Sequence, residues 1–258
     1  MRSKEKILEL AREIYRNTGY EEISLLSLSS GSYPGIVSVI SSLADEFKDL
    51  GVGVSLPSLR SDDILKELPS LIVKIRKTGL TFAPEAGSDR LRKYINKDID
   101  IETIITACDE AFKLGWRLVK FYFMIGLPTE TYEDLEEIPR FIRRILNLKK
   151  GIEVSVSINA FVPKAHTPFE DAEANAIKTL EDKQRFLKER LSNRRIKLKF
   201  HDARTSLLER QFNRKDKRLS QVLHDAWHRG ARFDSWQECF NFDIWSEAFA
   251  AAGIDLMR

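Results

Sequence analysis

An α/β fold built on a parallel sheet is predicted for this chain, and three observations predict it. Short apolar runs alternate with amphipathic segments five times along residues 20–191. Each run ends in a Gly/Pro loop that carries Ser, Thr, Glu or Arg, as in Gly79–Lys97 (GLTFAPEAGSDRLRKYINK) and Val119–Thr131 (VKFYFMIGLPTET). The loops are short, so each helix must return its strand beside the last one by a right-handed crossover, and that makes neighbouring strands parallel. This is the grammar of a barrel or open sheet whose strand C-termini feed the loops that hold the chemistry.

The elements follow in order. Ser3–Asn17 reads as an amphipathic helix with Ile7, Leu8, Ala11 and Ile14 on one face. No strand precedes it, which raises the expectation of a missing upstream unit. Glu22–Leu28 (EISLLSL) is a strand that leads through SSGSYPG into a helix ending near Lys48. Val52–Leu56 is the next strand; PSLRSDD and a helical stretch over Ile64–Lys77 follow, interrupted at Pro69. Leu80–Ala83 precedes the PEAGS loop and helical segments at Asp89–Tyr94 and Ile101–Leu114. Leu118–Ile125 precedes GLPTE and a helix over Tyr132–Leu148. Ile152–Ala160 precedes FVPKAHTPF and a charged helix to about Leu191. Past Ile196 the pattern changes to a short strand (IKLKF) and helical segments at Thr205–Phe212, Arg218–Arg229 and Asn241–Ala251. Residues 1–192 are therefore read as the sheet domain and 193–258 as a mainly helical extension.

Bulk properties restrict the class. With 258 residues, 43% hydrophobic and 31% charged, the chain can bury a substantial core and is not a disordered polymer. A net charge of +3 selects no partner, and the longest apolar runs are too short to span a bilayer. No basic, then apolar, leader opens the sequence, and two scattered cysteines suit a reducing compartment, so a cytoplasmic location is expected.

Alternation within the strands separates two faces. Val154, Val156, Ile158 and Ala160 fall opposite Ser155, Ser157 and Asn159; Phe121, Phe123 and Ile125 fall opposite Lys120, Tyr122 and Met124; Leu80 and Phe82 fall opposite Thr81, Ala83 and Glu85. The polar face either holds a polar ligand or lies in a core where Ser and Asn satisfy one another, because buried polar groups without partners cost roughly 1–3 kcal/mol each.

The two loop units, together with Ser55–Arg60 (SLPSLR) and Phe161–Phe169 (FVPKAHTPF), resemble the radical S-adenosylmethionine (SAM) enzymes. They resemble most the branch with a methylthiotransferase-like barrel behind a cobalamin-binding domain. The resemblance implies a partial (β/α) barrel that lacks its first strand here. It implies that Ser29, Ser30 and Gly31 lie where the amino group of the SAM methionine is held, and that Ser55 is among the cofactor-binding residues. Glu85 and Ser88 would meet its ribose or methionine part, Arg90 or Arg92 its carboxylate, and the backbone at Ile125 and Gly126 its adenine; Tyr122 would also bind the cofactor, and Asn159, Phe161 and Lys164 would close over the adenine or the substrate. Chemical sense supports part of this: a carboxylate can hold a vicinal diol, an arginine a carboxylate, and a glycine permits close backbone approach. Ser88 is also a natural helix cap, and SSGS by itself is an ordinary turn sequence.

The resemblance further implies a 4Fe–4S cluster, reductive cleavage of SAM to a 5′-deoxyadenosyl radical in the intact enzyme, and a role for cobalamin in some members. Yet the CxxxCxxC motif that binds the cluster is absent: Cys108 falls within a helix and Cys239 in the tail. The expectation is an N-terminally truncated member that makes no metal site by itself; a cluster-less ligand- or RNA-binding scaffold is the alternative, and an acid/base pair of Glu85 and Lys120 a third reading. RNA is considered because residues 178–218 hold 15 Lys/Arg against 6 Asp/Glu, although a solvated helical face is the safer reading, since no stacking aromatics are regularly interleaved. His224 and His228 share a helix face at zinc-ligand spacing, with Asp225 rather than Glu between them and no evident third ligand. If Glu22–Leu28 edges the sheet, self-association through it is expected.

Overall fold

A computed structural model describes residues 1–26, 33–55, 80–97, 99–214 and 216–257. By internal contacts these form two compact units, one of residues 1–123, 131–157 and 190–199, the other of residues 124–130, 158–189 and 200–258.

In the first unit, helix α1 (Lys4–Thr18) starts at Ser3, whose hydroxyl accepts from the Lys6 amide, and stops where Gly19 turns left-handed at φ 66. It packs on α2 (Ile36–Phe47) through Tyr15 edge-on to Phe47 at 5.7 Å, with the fork of Arg12 on Glu46 at its rim. Strand β1 (Glu22–Ser24) pairs in parallel with β2 (Gly53–Ser55), Ser24 facing Ser55 in register. The strand expected over Glu22–Leu28 is thus only three residues long: Leu25 and Leu26 have already left it, and Leu26 is 98% exposed. Ser29, Ser30, Gly31 and the Ile64–Lys77 helix fall outside the described residues.

A second sheet has the order β3-β4-β5-β6, with β3 (Leu80–Glu85), β4 (Leu118–Ile125), β5 (Glu153–Ala160) and β6 (Ile196–Phe200). β3 and β4 run parallel. The Glu153 and Phe161 amides donate to the Arg117 and Ile125 carbonyls, and those of Val154 and His201 to Arg195 and Ile158, so the remaining pairs also advance in one direction. IKLKF, expected to open the tail, is the last strand of this sheet. Helices α3 (Asp89–Tyr94), α4 (Ile101–Lys113) and α5 (Tyr132–Leu148) are interposed, each started by a side-chain cap from Ser88, Asp100 or Thr131.

The predicted alternation decides which face is covered. Phe82, Phe121 and Phe123 are buried, and Phe141 of α5 meets Phe121 edge-on at 4.9 Å. The opposite positions stay half-buried or exposed: Thr81, Glu85, Ser155 and Ser157 in part, Lys120, Tyr122 and Asn159 openly. The polar face is therefore not a closed core of mutually satisfied Ser and Asn.

The second unit contains α6 (Ile177–Arg190, to residue 189), α7 (Ala203–Phe212), α8 (Leu219–His228) and α9 (Phe242–Ala251). The last three share an apolar core of Leu208, Val222, Ala226, Trp245, Ala248 and Phe249. No helix among the described residues is long and apolar enough to cross a membrane.

Candidate functional site

The loop after β3 is the most constrained feature of the first unit. Pro84 lies within β3, the β3–β4 register shifts between Phe82 and Glu85, and Glu85 itself adopts φ 68, a left-handed conformation that a glutamate rarely takes. Its carboxylate is held by Lys97, whose Nζ donates to Oε1 at 3.1 Å, with both side chains mostly buried. Lys120, the partner suggested by sequence, lies in register with Thr81 instead.

Behind Glu85 the loop is pinned to α5. A Cβ on Gly87 would lie 2.7 Å from the Asp134 carbonyl oxygen and 2.9 Å from the Ile138 amide, so only glycine allows this approach. The Ser88 hydroxyl accepts from the Leu91 amide at 3.2 Å and donates to Asp134 Oδ1 at 2.5 Å. Arg90 forks onto both oxygens of Asp134, which also closes the α5 capping box with Thr131. Burial pushes the Asp134 carboxyl up, but hydrogen bonds from Arg90, Ser88 and Thr131 outweigh it and hold the group at about 2.

Arg92 is 5% exposed and turns inward, donating to the Ala86 and Gly87 carbonyls at 3.2 and 2.7 Å. Its Nε is buried without a hydrogen-bond partner, and burial lowers its affinity for the proton. It therefore shapes the loop from beneath. Tyr122 is 40% exposed on β4, while the register shift sets Glu85 beside Phe123.

The loop after β4 belongs to the second unit. Gly126 has φ 81, and its amide donates to Glu130 Oε1 at 2.7 Å. Glu130 is sealed beneath the turn with Lys183, whose Nζ donates to Glu130 Oε1 and to Asn175 Oδ1 at 2.7 Å each. Burial raises the Glu130 pKa against the opposing pull of Lys183. Ile125 is buried and its carbonyl accepts from the Phe161 amide at 2.8 Å, while Phe161 stands edge-on to Phe169 at 5.8 Å. Ser55 ends β2. Sequence reasoning missed Lys97, Asp134, Glu130 and Lys183; the Thr131-x-x-Asp134 spacing was a visible capping signal.

Part of the basic band is internally paired. Lys183 is buried on Glu130, and Arg185, Arg190 and Arg218 pair with Asp182, Glu136 and Asp216. His224 and His228 place their Nε2 atoms 3.1 Å apart, but no group of three metal-ligating side chains occurs among the described residues.

A 4Fe–4S cluster of the three-cysteine type needs three thiolates on one loop. Cys108 is fully buried in α4, where burial pushes its thiol pKa up, and Cys239 is exposed in the other unit. The cysteines of this chain therefore do not fit that cluster.

An uncharacterized protein of Methanocaldococcus jannaschii is 34% identical over 223 residues, covering 86% of this chain and 48% of the relative. The chain thus spans about half the length of that curated relative. The model of the Radical SAM superfamily matches residues 1–142, more than half of the chain and the whole stretch from α1 through the strained Glu85 turn into α5. On that match the chain belongs to the radical SAM superfamily, whose chemistry is SAM-dependent and typically uses an iron–sulfur cluster.

Proposed function

We propose that this chain supplies the SAM-holding part of a radical SAM enzyme of the cobalamin-domain-linked kind. The observation that carries the reading is Glu85. A non-glycine residue in the left-handed region costs on the order of 1–3 kcal/mol and persists where the surroundings over-determine it, most often at functional sites. Here Lys97, Gly87 and the Ser88–Arg90–Asp134 network over-determine it. In this reading Glu85 binds the ribose diol of SAM, and Ser88 and Arg92 keep the loop in shape. Tyr122 and the backbone at Ile125 and Gly126 are the candidates for the adenine, and Asn159 and Phe161 for the closing contact. Ser29, Ser30 and Gly31 remain candidates for the methionine end, and Ser55 for the cofactor.

The cluster ligands are not among the two cysteines present, so no electron-transfer step is assigned to these residues. SAM, when bound, supplies the adenosyl group that the family's chemistry uses; this chain's contribution is to bind and orient it. The substrate acted on is left open, with RNA one candidate class. The competing reading, a cluster-less scaffold for a nucleotide-like ligand, is favoured by the same cysteine count.

Calorimetry with S-adenosylhomocysteine tests the site. Without chelation by a cluster, binding should be weak, with a Kd of roughly 0.1–1 mM. Glu85→Gln should weaken it several-fold while keeping the side-chain volume. Equal binding by the variant would remove Glu85 from the site, and preferential binding of adenosine phosphates would favour the scaffold reading.

A further inference from the structure

We infer that the polar face of the β3–β6 sheet binds a phosphorylated substrate through Lys120, Lys197 and Lys199. That the ligand is the substrate rests on the radical SAM reading; the phosphate binding itself stands apart from it. The hydrogen-bond ladder fixes the arrangement. Thr81 lies in register with Lys120. The Glu153 amide donates to the Arg117 carbonyl, which in a parallel pair sets Ser155 beside Lys120 and Ser157 beside Tyr122. The Val154 amide donates to the Arg195 carbonyl, which sets Lys197 beside Ser155 and Lys199 beside Ser157. Thr81, Lys120, Ser155 and Lys197 thus form one row across the sheet, and Tyr122, Ser157 and Lys199 the next, all inside the first unit.

Exposure shows which way the rows face. Lys120, Lys197 and Lys199 are exposed and Ser155 and Ser157 half-buried, while the intervening Val119, Phe121, Val154 and Val156 are buried on the other face. Lys97 and Lys183 are spent on Glu85 and Glu130, but none of these three lysines forms an ion pair among the described residues. Lysines on an edge strand often serve only to block pairing with another chain, and β6 is an edge of this sheet. That role does not explain Lys120, because β4 has β3 on one side and β5 on the other. Parallel sheets are ordinarily covered on both faces, so a lysine on an interior strand marks a face that meets something other than an apolar layer.

Charge and spacing select the ligand. Adjacent strands lie about 4.8 Å apart, so Lys120 and Lys197 start about 10 Å apart across Ser155, and Lys197 and Lys199 about 7 Å apart along β6. Lysine stems reach a common anion from all three positions. Against them the same face carries Glu153, one row earlier, and Glu85, which Lys97 already holds. Ammonium groups gathered in this way repel one another, and a phosphate relieves that repulsion while the Ser155 and Ser157 hydroxyls donate to its remaining oxygens. Glu85 lies beside Phe123, above both rows. The phosphate therefore anchors the substrate on the sheet and leaves its other end toward the strand-end loops.

Ribose 5-phosphate and ribose are titrated into the whole chain by calorimetry and phosphorus nuclear magnetic resonance, and S-adenosylhomocysteine is titrated separately. Ribose 5-phosphate should bind at least about tenfold more tightly than ribose, a difference of ~1.4 kcal/mol. Lys120→Met should weaken it about fivefold, the upper value for an exposed ion pair, and the double variant Lys197→Met, Lys199→Met should weaken it more. Lys188→Met, at an exposed lysine of helix α6 rather than of the sheet, should not. A tetrauridylate arm separates sources: tighter binding that depends on the same lysines identifies a polynucleotide backbone, and equal or weaker binding a small phosphorylated molecule. Ribose that binds as well as its phosphate, or equal losses in Lys188→Met and Lys120→Met, would overturn the inference. If S-adenosylhomocysteine binds and ribose 5-phosphate does not, this inference alone falls; the reverse result removes the cofactor reading and leaves the lysine face standing.

Discussion

The loops after β3 and β4 are each pinned by one carboxylate; burial pushes both carboxyls up, but their net shifts run in opposite directions. Asp134 reaches the first loop from α5 and collects Ser88, Arg90 and Thr131; Arg90 remains half-exposed. Glu130 closes the second loop from within and shares its oxygen with Gly126 and Lys183, both side chains of the ion pair being more than nine-tenths buried. Enough hydrogen bonds pull Asp134 below the ordinary carboxylate range, whereas Glu130 is pushed above it by burial that Lys183 does not fully offset. A well-donated carboxylate strengthens its loop outright. A sealed ion pair chiefly makes its loop intolerant of losing either partner.

The largest expected effect tests the sealed pair. Lys183→Met leaves Glu130 buried without its cation and should cost about 3–5 kcal/mol in chemical denaturation. Adding Glu130→Gln should recover part of that loss, because the orphaned charge is removed. A single-variant cost below about 1 kcal/mol, the value for exposed pairs, would mean that water reaches Glu130.

The second test addresses the first loop through its backbone. Gly87→Ala drives a methyl into the main chain of α5 at the Asp134 carbonyl and the Ile138 amide, groups that cannot rotate away. The cost should be about 3 kcal/mol, the upper part of the overpacking range. S-adenosylhomocysteine binding should fall with it, since Glu85 lies two residues earlier. At Gly126 the nearest atom is the flexible end of Leu180 at 3.0 Å, so the obstacle there is the left-handed φ more than space. Wild-type stability in Gly87→Ala would show that the loop after β3 is free to shift off the helix.

Much of this arrangement was legible beforehand, and the limits have physical causes. β4 and α5 match their expected bounds because eight alternating residues and a seventeen-residue amphipathic helix give strong periodic signals. EISLLSL misled because its apolar residues continue past the point where pairing with β2 ends, and apolarity alone does not register a strand's partner. The PEAGS loop announced itself through glycine and the Ser88 cap. Its anchor did not: Asp134 lies 46 positions from Ser88, and a hydrogen bond across that separation leaves no local pattern. The same holds for Lys183, which sits in a charged helix as one lysine among many and is distinguished only by being buried 53 positions from Glu130. The Glu85 backbone was equally hidden, because left-handed conformations are written in sequence by glycine and asparagine, and glutamate gives no such signal.

The smallest expected effect is a pH dependence that separates the two carboxylates. The folded Asp134 group is held at about 2, below its ordinary 3.8, so its contribution is fully present above the ordinary value and is lost as pH falls through the folded one. At ~1.4 kcal/mol per unit, that amounts to about 2 kcal/mol. Glu130 has the opposite sign. Its folded pKa is raised, so the folded state holds the proton more tightly, and stability declines as pH rises from the ordinary 4.5 through the raised value. Denaturation measured between about pH 2 and 7 should therefore rise and then bend downward, since the unfolded chain binds the extra proton in the first window and the folded chain in the second. Asp134→Asn should flatten the acid limb alone, and Glu130→Gln the limb above it. An acid limb that survives Asp134→Asn would assign it to another carboxylate. A Glu130→Gln variant that keeps the downward bend would mean that Lys183 holds Glu130 ionised across the range, which would erase the contrast between the two loops.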